Sequence, residues 1–229
     1  MPRRPAMRDF IYLSRTRVER IAATLPPKVV ARLRDVSFGL GVVSAGVTID
    51  RDSASERVGN SALVAAISEV ERAIRKDYEV LPYDDPGVTR GVWIEGIGVE
   101  MAYGVPDGSA KVRNAAVFTS SSQERAVMLG GSAAGLLDRS PDLPDPTHLM
   151  SNPQAIRELL RMLDGPLPDD SGSLYSYAIS NLHASMASAG GLSRVSFLAL
   201  AVDTPQGRHG ENVIIALPLY VELAPLLRR

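Results

Sequence analysis

The sequence predicts an α+β fold, a single domain in which helices pack on a mixed, mostly antiparallel sheet. Three observations carry that expectation. β-type runs and stretches with helical apolar spacing alternate along the chain without an internal repeat. Three β-type runs then follow one another between residues 92 and 129, as in an antiparallel meander. Finally, Val195–Val202 and Val213–Val221 are apolar on both faces, the pattern of strands inside a covered sheet. With 229 residues, 45% hydrophobic and 22% charged, the chain is long enough to bury a full core. Residues 1–6 read as an extension and residues 7–229 as the domain, with no convincing linker inside it.

Each element follows from a local pattern. Phe10–Leu13 (FIYL) reads as a strand that stops at Ser14, a good N-cap residue, after which Val18, Ile21 and Leu25 repeat at helical spacing. Pro26-Pro27 ends that helix, and Pro27 is placed to begin a short second one carrying Val29, Val30 and Leu33. Residues 36–49 turn to β-branched character with interspersed Gly and Ser, which predicts one or two bent strands. After the polar stretch 50–60, Leu63, Ile67, Val70 and Ile74 form the apolar stripe of an amphipathic helix, with Glu69, Glu71, Arg72 and Arg75 on its other face.

Tyr83–Gly91 is rich in turn residues, and Val92–Val105 reads as a strand interrupted by Gly96 and Gly98. Val112–Thr119 and Ala126–Leu129 complete the meander across the connection SSSQE. Gly130-Gly131-Ser132 then reads as the corner where the third strand enters a helix. Residues 139–153 hold four prolines and form a long loop, after which Asn152 and Pro153 start a helix carrying Ile156, Leu159, Leu160 and Leu163. A second loop leads to a helix with Tyr175, Ile179, Leu182 and Met186 on one stripe. The last two apolar runs flank the polar loop TPQGRHGE and are expected to pair antiparallel, with Pro218 marking an edge or a bulge.

Composition excludes several function classes. Lys and Arg number 25 against 26 Asp and Glu, a net charge of -1, so no overall basic field exists to gather nucleic acid non-specifically. The absence of Cys removes disulfides, thiolate catalysis and thiolate metal sites, and fits a reducing interior. The three histidines, His148, His183 and His209, stand too far apart for short-range ligand spacing, and no metal site is expected. No secretory signal is seen and no run approaches the roughly 18 apolar residues of a membrane span, so the chain reads as cytoplasmic.

Few places remain where chemistry would sit. At Gly130, Gly131 and Ser132, the glycines would allow close backbone approach, and a helix beginning at Ser132 would aim free N–H groups at a phosphate or carboxylate. The lysine and spacing of nucleotide-binding loops are missing, so a plain strand-to-helix corner capped by Ser132 is the competing account. Ser14, Arg15 and Arg17 form a second junction, where two arginines beside a helix start would hold an acidic group. His183 borders the apolar stripe of its helix near Ser180 and Ser185, and Glu95 lies on a strand. No G-x-S-x-G elbow accompanies them. The Asp84-Asp85 and Asp169-Asp170 pairs sit in proline-flanked loops and read as solvated turns.

FIYLSRTRVERI, the LGGS turn with its preceding strand, and IIALPLYVELA together resemble an uncharacterised, largely actinobacterial protein family. In that family a Tyr-x-Ser-x-x-Lys/Arg-Val junction, a mid-chain Leu-Gly-Gly-Ser turn and a C-terminal Pro-Leu-Tyr-Val strand recur. The resemblance implies an accessory part of a bacterial signalling or conflict system and carries over no catalytic residues or cofactor. The resulting expectation is a non-enzymatic binding or sensor module, working through a protein partner or a small anionic ligand held by Gly130–Ser132 and the Ser14–Arg17 junction. Two alternatives stand beside it: a small-molecule hydrolase or transferase using His183 or Glu95 with the glycine amides, and a structural subunit of a homo-oligomer. The first alternative requires those groups to converge on one pocket.

Overall fold

The computed structural model describes residues 8–24, 67–104, 115–121, 125–132, 135–137, 171–190, 192–206 and 212–224. The elements expected at 27–33, 36–49 and 153–163 lie outside them. The chain divides into two compact units, one formed by Met1–Ser14 with Val80–Arg229 and the other by Arg15–Glu79.

In the second unit, α1 spans Arg15–Ala22, and the described part of α2 covers residues 67–77. Thr24 ends α1 by bonding the Ile21 carbonyl through both its amide and its hydroxyl, at 2.9 and 2.7 Å. On α2 the expected stripe is present: Ile67, Val70 and Ile74 are fully buried. The opposite face carries Arg72–Glu69 and Arg75–Glu71 ion pairs at 2.6 and 3.1 Å, spacings that add about 0.2–0.5 kcal/mol each to a helix.

The first unit contains β1 (Phe10–Leu13), β2 (Val80–Pro82), β3 (Trp93–Gly104), β4 (Ala115–Ser121), β5 (Arg125–Ser132), α3 (Ser171–Gly190), β6 (Leu192–Asp203) and β7 (Asn212–Leu223). The expected meander is there, since β3 pairs antiparallel with β4 and β4 with β5. So is the C-terminal antiparallel pair, β6 with β7. The sheet also closes. On β7, β6 occupies one edge while β5 and β1 share the other, β5 along Asn212–Ala216 and β1 along Tyr220–Glu222. On β3, β6 again takes one edge while β2 and β4 share the other. The strands β3, β4, β5, β7 and β6 therefore form a closed five-stranded barrel, in which β5 and β7 run parallel.

Counted within the barrel alone, the ring runs first, second, third, fifth, fourth and back to the first, with α3 between the third and fourth strands. That is the connectivity of the OB-type Greek-key barrel. β1 and β2 are additions, each pairing with a stretch of one barrel strand, β1 with β7 and β2 with β3. Shared connectivity carries no activity with it.

Strand alternation assigns the two faces. Phe118 and Ala116 of β4, Val127 and Leu129 of β5, and Val195, Phe197, Ala199 and Ala201 of β6 fill the interior. Val117, Ala126, Met128, Val213, Ile215 and Leu217 face outward, where Ala178, Ile179 and Leu182 of α3 cover them. Burying each large aliphatic chain in such a layer stabilises by about 1.5–3 kcal/mol.

Closing five strands tightly needs local bends, and β3 and β7 supply them. Between Gly96 and Val99, β3 gains one residue against β6, and Gly98 takes the left-handed φ of +66° that a side chain resists. Gly96 leaves room for the Phe197 ring, because a Cβ there would overlap its edge and stand 2.6 Å from Cζ. In β7 the extra residue falls at Leu219: Ala199 pairs with Pro218 but Leu198 with Tyr220. The slip switches the inward phase from Ile214 and Ala216 to Val221. Pro218 marks that bulge as its lack of an N–H predicts.

One expectation about the path of the chain is corrected. Gly130, Gly131 and Ser132 do not themselves form the turn out of the strand: they are the last three residues of β5, paired with Val117, Ala116 and Ala115. At Gly131 the missing side chain makes room for another part of the unit.

Candidate functional site

That part is Tyr12. A Cβ on Gly131 would overlap the Tyr12 phenol oxygen and lie 2.5 Å from Cζ; one on Gly135 would lie 2.5 Å from Cε2 and 2.8 Å from the Leu13 carbonyl oxygen. Such separations are shorter than any carbon contact tolerates. The ring is 2% exposed and meets Phe118 edge to face at 5.9 Å, and Phe118 in turn stacks on Tyr103 at 5.4 Å. Across from Gly131 stands Ala116, another small residue. The glycines thus floor a slot filled by the protein's own aromatic side chain.

β1 is held in place to deliver that ring. Leu223 N donates to Asp9 O at 2.8 Å, Ser14 N to Leu219 O at 2.9 Å and Leu137 N to Ile11 O at 3.0 Å, while Tyr12 bridges Leu136. The Ser14 end of β1 and the glycine segment of β5 are accordingly neighbours. Arg15 and Arg17 open α1 in the other unit, with Arg17 half-buried.

His183 lies on α3, half-buried over the outer face of β4. Its Nδ1 stands 3.0 Å from the backbone oxygen of fully buried Thr119 and 3.4 Å from the Thr119 hydroxyl. A carbonyl only accepts, so Nδ1 carries a proton and donates it to Thr119 O. One helical turn earlier, the Ser180 and Ser121 hydroxyls are 2.7 Å apart. Thr119 and Ser121 point outward between the apolar residues of β4, so these contacts form a polar seam fixing α3 to the barrel.

Glu95 sits on β3, half-buried, pairing with Leu198 on one side and Pro82 on the other. Its backbone oxygen accepts from Tyr83 N at 2.8 Å. Ala102, the β3 neighbour of Thr119, is seven residues further along, roughly 20 Å at the rise of a strand. His183 and Glu95 therefore stand far apart on the outer surface, and Gly131 belongs to the inner one. Among the described residues no group of three His, Asp or Glu side chains is placed to hold a metal ion, and no helix is long and apolar enough to cross a membrane.

Two arrangements have no counterpart in sequence pattern. Arg8 lies over both Phe10 and Tyr220, 4.7 and 4.6 Å from the ring centroids, and its Nε donates to Glu222 at 2.6 Å. At the opposite end of the barrel, Arg125 Nη1 donates to Tyr83 O at 2.7 Å and Asp85 O at 3.4 Å. The Asp85 carboxylate accepts from Gly87 N at 2.7 Å, a local turn that accounts for one member of the Asp84-Asp85 pair. Burial, aided by the charge of Asp84 and opposed by Arg125, raises the pKa of the Tyr83 phenol above its ordinary value. Both arrangements join residues distant in sequence, and neither leaves a short-range signal.

No curated protein and no solved structure matches the chain. A family model does match, over residues 8–225, a span that starts at the arginine clamping β1 and ends just beyond the last barrel strand. The chain belongs to that family, DUF7019, a family of unknown function.

Proposed function

We propose that the chain is a non-catalytic binding module, acting as a sensor or accessory component through a partner molecule. The observation that carries this reading is the placement of the candidate catalytic groups: His183 holds a backbone carbonyl under α3, Tyr12 fills the glycine slot, and Glu95 lies roughly 20 Å along β3 from the residue beside Thr119. A base, an oxyanion site and a nucleophile must reach one reacting atom. These groups lie on two faces of the barrel wall. The filled slot also weakens the case for an anion at Gly130–Ser132 and shifts the reading toward a protein partner.

A barrel of this connectivity commonly takes oligonucleotides or oligosaccharides on its second and third strands. In this chain α3 lies on the outer face of those strands, β4 and β5, and the net charge is -1. Both facts speak against single-stranded nucleic acid on that face. A place in a bacterial signalling or conflict system is the finer form of the proposal and rests on the N-terminal, LGGS and PLYV motifs.

Native mass spectrometry of the protein isolated from the cells that make it tests the reading. The expected result is a stoichiometric bound partner retained by His183→Ala and Glu95→Gln. The bare monomer mass counts against it, and turnover of a hydrolase or transferase substrate that either substitution abolishes, with the fold intact by circular dichroism, overturns it.

A further inference from the structure

We draw no further inference here: the strongest candidate, the outward face of α3 formed by Tyr177, Asn181, Ala184, Ser185 and Ser188, is a stripe of mostly small, uncharged residues, and nothing in the structure shows what covers it.

Discussion

Gly131→Ala distinguishes a glycine kept for a ligand from one kept for a neighbouring side chain. The added methyl would overlap the Tyr12 oxygen and stand 2.5 Å from Cζ, so the ring must move by about an ångström within a packed barrel. Overpacking of this kind costs about 1–3 kcal/mol. For a chain of this length that is a fall in Tm of about 2–4 °C per kcal/mol. Tyr12→Ala alone empties the slot and costs about 3–5 kcal/mol, the range for removing a large aromatic from a core. In the double variant the new methyl enters space that the ring has vacated. Its penalty vanishes, and the pair shows a coupling of about 1–3 kcal/mol. The assay is the urea midpoint at constant m value for the four proteins of the cycle. A Gly131→Ala protein as stable as the parent, or single effects that simply add, would refute the filled-slot account. Weakened anion binding with unchanged stability would restore the ligand reading.

Arg8→Ala should lower stability by about 1–2 kcal/mol through loss of two cation–π contacts and a half-buried ion pair, with Arg8→Lys recovering less than half because an ammonium cannot lie flat over both rings; thermal melts of the three proteins check it. Gly98→Ala should cost about 1–2 kcal/mol for the left-handed φ, with Gly98→Asn milder, and equal melting of the two would contradict a backbone origin. Ser180→Ala strands the Ser121 hydroxyl under α3 and should cost about 1 kcal/mol, whereas the double variant with Ser121→Ala should lie closer to the parent in urea midpoint. Tyr83 binds its proton more tightly when folded than the unfolded value of 10.0. The stability it contributes is full below that pH and is lost as pH rises through the higher folded value. Urea midpoints taken from about pH 9 to 11 should therefore fall more steeply for the parent than for Tyr83→Phe, and parallel curves would sink the argument.

The features legible in sequence are those whose causes are local. α2 was readable because burial repeats at the helical period in Ile67, Val70 and Ile74, and β7 because a run buried on both faces has few other folds to join. Pro218 marked its bulge through a missing N–H, a property of the residue alone. Barrel closure depends on β6 reaching both β3 and β7, and the strand pattern of an open sheet is the same. β2 leaves no sequence signal because three residues ending in proline are too few to show alternation, and its pairing with β3 is fixed by the neighbouring turn at Tyr83. The polar seam under α3 was half visible: His183 stood on the border of an apolar stripe, but Thr119, its acceptor, looked like any strand threonine.

Gly131 and Gly135 show why the neighbour of a strand is harder to read from sequence than the strand itself. A glycine in a strand records that something comes close to the backbone, and the sequence does not say whether that is a ligand or the chain's own side chain. At Gly131 and Gly135 it is Tyr12, delivered by a four-residue strand near the N-terminus, more than a hundred residues earlier. Tyr12 of the YLS motif and Gly131 of the GGS motif are then halves of one contact: the ring and the space made for it. Substitution at either half should be tolerated only with a matching change in the other. That coupling ties the motifs to the closure of the barrel, and it leaves partner binding to be sought on surfaces that the barrel and α3 do not already use.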